Sequence, residues 1–207
     1  MNHTDWLGLS GFALASLWPV LHLPYIRRLD TLRRLLFAAA GYVLMMVPLF
    51  GLSLAGWLRG IIGDLSLTTL LLLGSALYAR LNPAATPLWD ARERASLLLF
   101  ISVMALMLYP FALGWGPLDP YRSGYGSIGL IVMLALLALW ALLALWALRR
   151  GLALLPLAIA LAVTGWSFAC YESTNLWDYL LDAPLALYAL GATAGGLLQQ
   201  AIRRKRA

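Results

Sequence analysis

Long runs of apolar residues follow one another along the whole chain and are separated by short polar segments. A helix needs about 20 apolar residues to cross the hydrocarbon core of a bilayer, so each run predicts a membrane-spanning helix. The predicted spans are residues 6–25, 35–58, 65–81, 95–115, 127–148, 152–171 and 176–201. The third run is short and the seventh begins with polar residues, so six spans are the alternative. The pattern predicts an all-α polytopic membrane protein, a single bundle of about seven transmembrane helices over residues 1–207.

The composition also indicates that lipid is the solvent for most of the protein surface. Of the 207 residues, 62% are hydrophobic and 12% are charged, and the mean hydropathy is +0.82. A soluble domain carries about 25% charged residues, so the polar surface here is too small to cover a water-soluble globule. The first run has no basic segment before it and no small-residue cleavage site after it, and we therefore expect no cleaved signal peptide.

Basic residues are concentrated at one end of the predicted bundle. With seven spans, all of the 15 Lys and Arg residues except Arg59 and Arg122 fall in the loops after spans one, three and five or at the C-terminus. The positive-inside rule then places the N-terminus outside and the C-terminus in the cytoplasm, as in the bacterial inner (plasma) membrane. The high pI, about 9.8, follows from this topology and from contact with anionic lipid headgroups, so we expect no nucleic-acid partner.

Most acidic residues fall at the opposite, outer end, and three of them lie in residues 170–184, CYESTNLWDYLLDAP. If the last helix starts at Asn175, then Asn175, Asp178 and Asp182 lie at i, i+3 and i+7 and form one polar stripe. Asn175 as N-cap and Asp178 in the first turn are typical of a helix start. Capping does not account for Asp182, for which a structural and a functional role are equally open.

Two further outer segments contribute candidate binding residues. In the loop of residues 114–127, Arg122 is able to hold a phosphate or carboxylate in bidentate fashion, and its alternative is an ion pair with an outer acid. In residues 59–69, either Asp64 or Ser66 caps the third helix. The predicted binding residues are Arg59, Asp64, Asp119, Tyr121, Arg122, Glu172, Asn175, Asp178 and Asp182.

Metal and cofactor sites are not expected. His3 and His22 are the two histidines and Cys170 is the one cysteine, which excludes a three-histidine zinc site and a cysteine-based metal cluster. The one lysine, Lys205, lies outside every predicted span, so a retinal Schiff base is excluded as well. No nucleotide-binding glycine loop is present.

These features favour a small cell-envelope protein with an outward-facing pocket that binds or helps to process a lipid-linked or phosphorylated headgroup. We expect it to contact membrane lipids and to act as the accessory subunit of a larger membrane enzyme or as a homo-oligomer, while a catalytic role stays open. The alternative is a transporter or channel for a small solute or lipid. Ion-coupled transport usually places ionisable groups near the bilayer midplane, and the deep portions of the predicted spans contain none.

Overall fold

The structure is a computed structural model that describes residues 3–49, 51–146 and 153–206. Its α-helices are α1 (His3–Val20), α2 (Pro24–Arg27), α3 (Thr31–Met46), α4 (Leu54–Ile62), α5 (Leu67–Leu81), α6 (Ala91–Ala112), α7 (Ser127–Trp146), α8 (Leu154–Ser167), α9 (Leu176–Leu180) and α10 (Ala183–Arg206). A 3₁₀ helix covers Pro120–Tyr125, and a short hairpin pairs β1 (Pro48–Leu49) with β2 (Leu52–Ser53). The predicted all-helical class is confirmed. The end of the fifth predicted span and the start of the sixth lie outside the described residues.

The helices form two groups that meet at α5 and α8. In the first group, α1 packs against α3, α4 and α5; in the second, α6 packs against α8 and α10. The core of the second group includes the fully buried residues Leu97, Ile159 and Leu180. Smaller clusters around Leu17 and Phe12 hold the first group together. Because α5 contacts both α1 and α8, it joins the two groups.

The second predicted span, residues 35–58, is wrong as a single helix. α3 stops before Val47, which is extended (φ −66°, ψ 126°). The ring of Pro48 disfavours the helical conformation at the residue before it, and this explains the stop. After the hairpin, α4 begins at a new cap, where the Ser53 hydroxyl accepts a hydrogen bond from the Gly56 N–H. The polypeptide therefore forms two helices where the hydrophobic run suggested one.

The seventh predicted span, residues 176–201, is also wrong as a single helix. The chain is extended at Leu181 (φ −142°, ψ 150°), between α9 and α10. The predicted stripe of Asn175, Asp178 and Asp182 consequently does not lie on one helix. Asn175 precedes α9, Asp178 belongs to its first turn, and Asp182 directly precedes α10.

α6 is apolar on both of its faces. Leu97, Ile101 and Leu108 are buried in the core, whereas Val103 and Leu106 on the other side are 47% and 59% exposed. α6 and the Ala183–Lys205 part of α10 are the two helices of the described chain that are long and apolar enough to cross a membrane. The count of seven spans stays a prediction.

A buried arginine binds helix ends in the first group. Arg34 of α3 is 8% exposed, and its guanidinium donates to the carbonyl oxygens of Arg80 (2.7 Å), Arg27 (3.0 Å) and Leu29 (2.9 Å). Carbonyl groups at the C-termini of helices lack an intrahelical partner and carry partial negative charge. Arg34 therefore ties the C-terminal ends of α2 and α5 to the start of α3.

We expect Arg34→Ala to lower the free energy of unfolding by about 2–4 kcal/mol, because buried carbonyl groups lose a charged donor. Arg33→Ala is the matched control, since Arg33 is exposed and pairs with Asp30 at 3.2 Å on the surface. Its loss is expected to cost less than about 1 kcal/mol. Thermal unfolding of the two variants in detergent measures the difference, and an unchanged Tm for Arg34→Ala would contradict this role.

Candidate functional site

A cavity of about 240 Å³ lies between the end of α4, the end of α6 and the junction of α9 with α10. Its polar lining consists of Asp64, Tyr109, Tyr171, Ser173, Asp178 and Asp182. We call this space the acidic cavity. Three carboxylates from the predicted set line it together, although Asp64 lies far from Asp178 and Asp182 in the chain. Among the described residues, no basic one belongs to the lining.

Asp182 holds two helix starts at once. One carboxylate oxygen accepts hydrogen bonds from the Ser66 N–H (2.7 Å) and the Thr69 hydroxyl (2.5 Å) at the start of α5. The other accepts from the Leu185 N–H (2.7 Å) in the first turn of α10. Helix N-termini carry unpaired N–H groups and partial positive charge, so both favour an anion here. Asp182, 8% exposed, thus has the structural role that its spacing in the sequence did not reveal.

Asp178 is held by two hydroxyl groups. Tyr121 of the 3₁₀ helix donates to one carboxylate oxygen, and the Ser173 hydroxyl donates to the other at 2.5 Å. Burial and then the hydrogen bond to Asp178 raise the pKa of the Tyr121 hydroxyl above its ordinary value. Tyr121 consequently stays protonated at neutral pH and remains a donor to Asp178.

Arg59 pairs with acids from three segments. Its guanidinium binds both oxygens of Asp64 (2.6 and 3.1 Å) and one of Asp5 (2.9 Å), and lies 3.6 Å from Glu172. The hydrogen bond to Asp64 raises the pKa of Arg59, burial opposes this, and the bond to Asp5 adds to the increase. A Cβ at Gly8 of α1 would overlap the Asp64 carboxylate and the Arg59 Nε, so a side chain there would displace this ion pair.

Two tyrosine hydroxyls in the acidic cavity have no hydrogen-bond partner among the described residues. The Tyr171 hydroxyl is buried and unpaired, and the Tyr109 hydroxyl likewise bonds to no described group. By contrast, the Tyr179 hydroxyl bonds to the backbone of Tyr171 and Ser173. The sequence did not single out Tyr109 or Tyr171, because aromatic residues are ordinary near membrane interfaces.

The other predicted residues surround the cavity without lining it. Asn175 caps α9, as the sequence predicts, and its side-chain amide donates to the Tyr121 carbonyl at 3.1 Å. A side chain at Gly124 would overlap that of Asn175, so the 3₁₀ helix packs closely against α9. Asp119 and Arg122 are exposed, and the Arg122 N–H donates to the Asp119 carboxylate at 3.2 Å. In the described chain the Arg122 guanidinium forms no ion pair, contrary to the expected alternative.

Ser66, and not Asp64, caps α5: its hydroxyl accepts a hydrogen bond from the Thr69 N–H at 3.1 Å. Asp64 is thereby available to pair with Arg59. The prediction that either Asp64 or Ser66 caps this helix is confirmed, and the capping residue is Ser66.

The cavity is suited to a ligand that donates hydrogen bonds. Each carboxylate oxygen has two lone pairs, and the Asp182 oxygen that accepts from Ser66 and Thr69 has used both. The other Asp182 oxygen and both oxygens of Asp178 each accept one hydrogen bond from the protein and can accept another. The one guanidinium nearby, Arg59, is already engaged by Asp64 and Asp5. Across residues 3–49, 51–146 and 153–206, no group of three or more His, Cys, Asp or Glu side chains is placed to hold a metal ion.

Comparisons of the chain with models of protein families, with curated proteins and with solved structures found no match. Its function is therefore inferred from the geometry of the acidic cavity and from the surface around it.

We expect Asp182→Asn to lower the free energy of unfolding by about 2–4 kcal/mol, because the new amide group faces the Ser66 N–H and leaves one donor opposite another. Asp119→Asn is the control: Asp119 is also a helix cap, but it is exposed and keeps its one acceptor as asparagine. A change of less than about 0.5 kcal/mol is expected there. Thermal unfolding in detergent compares the two, and equal Tm values would contradict the proposed junction.

Proposed function

We propose that this chain is a multi-pass membrane protein whose acidic cavity, on the outer side, binds the polar headgroup of a lipid or lipid-linked molecule. The apolar surface supports the membrane location. Residues 95–112 of α6 contain no charged side chain, and the face carrying Val103 and Leu106 is exposed although it is as apolar as the buried face. Such a face is unfavourable in water and matches a hydrocarbon solvent.

Charge supports the orientation and the compartment. Arg203, Arg204 and Lys205 lie in the last turn of α10, while Asp182 directly precedes its first residue. Along the chain, basic residues gather at one end of the predicted spans and acidic residues at the other. This distribution favours a cytoplasmic basic end and an outer acidic end in the bacterial inner membrane. α10 has 24 residues, which span about 36 Å at 1.5 Å per residue, enough to cross a bilayer without α9.

The unpaired hydroxyls of Tyr109 and Tyr171 carry the headgroup proposal. The Tyr171 hydroxyl is buried without a partner, which costs free energy, and a ligand in the cavity would supply the missing hydrogen bond. The Tyr109 hydroxyl, on a half-buried side chain, is a second donor in the same lining. Beside them stand the acceptors Asp64, Asp178 and Asp182. A headgroup with an ammonium group and nearby ester oxygens has donors for the carboxylates and acceptors for the tyrosines.

The charge of the acidic cavity favours one class of headgroup among those predicted from the sequence. A phosphate as the recognised group would need a basic partner, but Arg59 is saturated by acids and Arg122 lies outside the cavity lining. An ammonium-bearing headgroup such as that of phosphatidylethanolamine satisfies the acidic lining better. Its phosphate oxygens then accept hydrogen bonds from the hydroxyls of Tyr109 and Tyr171 in the cavity lining.

Binding suits the site better than catalysis or transport does. The carboxylates of Asp178 and Asp182 are each fixed by hydrogen bonds from two or more protein groups, which positions them as acceptors. The helix break at Asp182 lies at the end of α10, whereas broken helices of transporters are interrupted near the bilayer midplane. A role as the accessory subunit of a larger membrane enzyme, or in a homo-oligomer, belongs to the same proposal.

The double variant Tyr109→Phe/Tyr171→Phe tests the headgroup site directly. We expect dihexanoyl phosphatidylethanolamine to bind the purified wild-type protein, and the double variant to bind it about tenfold more weakly through the loss of two hydrogen bonds. Isothermal titration in detergent measures the affinity. The fold should be unaffected, because neither hydroxyl bonds to a described protein group.

Two controls accompany this titration. Tyr78→Phe removes an exposed hydroxyl from the other end of α5 and should leave the affinity unchanged. Dihexanoyl phosphatidylcholine, which has no N–H donor, should bind the wild type at least about fivefold more weakly, as expected for lost hydrogen bonds to carboxylates. Equal affinity of the double variant and the wild type would refute the site.

The orientation can be measured with single cysteines. In a Cys170→Ser background, we expect Gly126→Cys to react with a membrane-impermeant maleimide added to intact cells, and Arg203→Cys to react only after permeabilisation. Gly126 is exposed, with no atom within 4 Å of an added Cβ, and Arg203 is exposed near the C-terminus. Three spans separate them in the seven-span arrangement, so labelling from the same side would contradict it.

A further inference from the structure

A second cavity, of about 390 Å³, lies at the opposite end of the bundle from the acidic cavity. It is lined by side chains of α1, α5, α6 and α10 and by residues just before α6. α5 packs on α1 and α8, while α6 packs on α8 and α10, and the cavity occupies the space between α5 and α6. Its volume is within the range of about 300–1,000 Å³ typical of small-molecule sites. We call it the basic cavity.

Two arginines give the basic cavity its charge. Arg80 near the end of α5 is half-buried, and Arg94 in the first turns of α6 is exposed; both line the cavity. In the described part of the chain neither guanidinium forms an ion pair or a side-chain hydrogen bond. Among the residues that the structure describes, no acidic one lines this space. The nearest acid in sequence, Glu93, is buried and accepts hydrogen bonds from the N–H groups of Asp90 and Ala153.

Other polar groups lie at the same end of the basic cavity. The Trp89 indole N–H is buried and has no hydrogen-bond partner among the described residues, although Trp89 lines the cavity. His22 lies 2.7 Å from the Trp18 carbonyl through its Nδ1. A carbonyl only accepts, so Nδ1 carries the proton and Nε2 is left for another partner.

Apolar side chains line the cavity deeper along the same helices, with Ser75 among them. On α5, Leu72, Ala76 and Arg80 follow one another at intervals of four residues and share one face; on α6, Arg94 and Leu98 do the same. Two turns separate Arg80 from Leu72, about 12 Å along α5. Both helices therefore place an arginine at the same end of the cavity and leucine side chains deeper inside it. An amphiphile has the matching arrangement, with a charged headgroup at one end and an apolar chain at the other.

We propose that the basic cavity binds a phosphate group carried by an amphiphile, with the phosphate on Arg80 and Arg94 and the attached chain along Leu72 and Leu98. Two guanidinium groups without acidic partners match a phosphate in charge and in hydrogen-bonding geometry. The unpaired Trp89 N–H supplies a further donor at that end. This site is separate from the acidic cavity, which is lined by carboxylates and not by arginines.

The test uses the full chain purified in detergent and three probes measured by isothermal titration: dihexanoyl phosphatidic acid, dihexanoyl phosphatidylcholine and inorganic phosphate. We expect the phosphatidic acid to bind saturably and at least tenfold more tightly than either other probe. The variant Arg80→Gln/Arg94→Gln should bind it at least tenfold more weakly, since it loses both charged contacts. Arg92→Gln, two residues from Arg94 but outside the cavity lining, should change the affinity less than twofold.

The outcomes separate the possible sources of binding. Unchanged affinity for phosphatidic acid in the double variant would overturn the site. An equal loss of affinity in Arg92→Gln would also overturn it, because binding would then depend on general surface charge. Inorganic phosphate that bound as tightly as phosphatidic acid would overturn the assignment to an amphiphile.

If the double variant has a lowered Tm, the single variant Arg94→Gln decides the test, because Arg94 is exposed and unpaired in the described chain and its loss leaves the fold intact. The Tyr109→Phe/Tyr171→Phe variant should bind phosphatidic acid normally, so failure of either site is seen independently.

Discussion

One carboxylate joins the two groups of helices at the end that carries the acidic cavity. Asp182 accepts from the first turn of α5 and from the first turn of α10, so two positive helix ends share one negative charge. α5 belongs to the first group of helices and α10 to the second. Asp182 directly follows the extended residue Leu181 and precedes α10, so its carboxylate reaches α5 from the break between two helices. The helix break and the cavity beside it are thus consequences of the same contact.

The charges around this junction also determine what the cavity is able to bind. Arg59 neutralises part of the field of Asp5, Asp64 and Glu172 and is itself held in place by them. Asp178 and Asp182 lack a basic partner in the described chain and are stabilised by hydroxyl and N–H donors instead. Dipolar donors stabilise an anion while leaving its charge in place, so the cavity remains electronegative. This charge is the reason why the proposed ligand is one with hydrogen-bond donors.

Local chemistry in the sequence predicted the helix starts well and the tertiary contacts poorly. The cap at Asn175 and the choice between Asp64 and Ser66 follow from side chains that bond to the backbone two or three residues away. The hydrophobic runs placed most helices within a few residues, but they did not reveal the stop before Pro48 or the break at Leu181. An apolar run has the same composition whether it forms one helix or two, and the break at Leu181 depends on a contact with α5 that is more than a hundred residues away in the chain.

The two cavities differ in sign, and the bundle between them is apolar. Between the acidic end and the basic end, the interface of α6 and α10 contains the hydrogen bond of Ser102 with Thr193 at 3.0 Å, a pair of small neutral hydroxyls. No Asp, Glu, Lys or Arg occurs in residues 95–112 or 183–202, which form that interface. A charged group moving from one cavity to the other would lose its partners at one end before it met those at the other, at a large desolvation cost. The separation of charge by end therefore favours the two proposed binding sites over a conducting path.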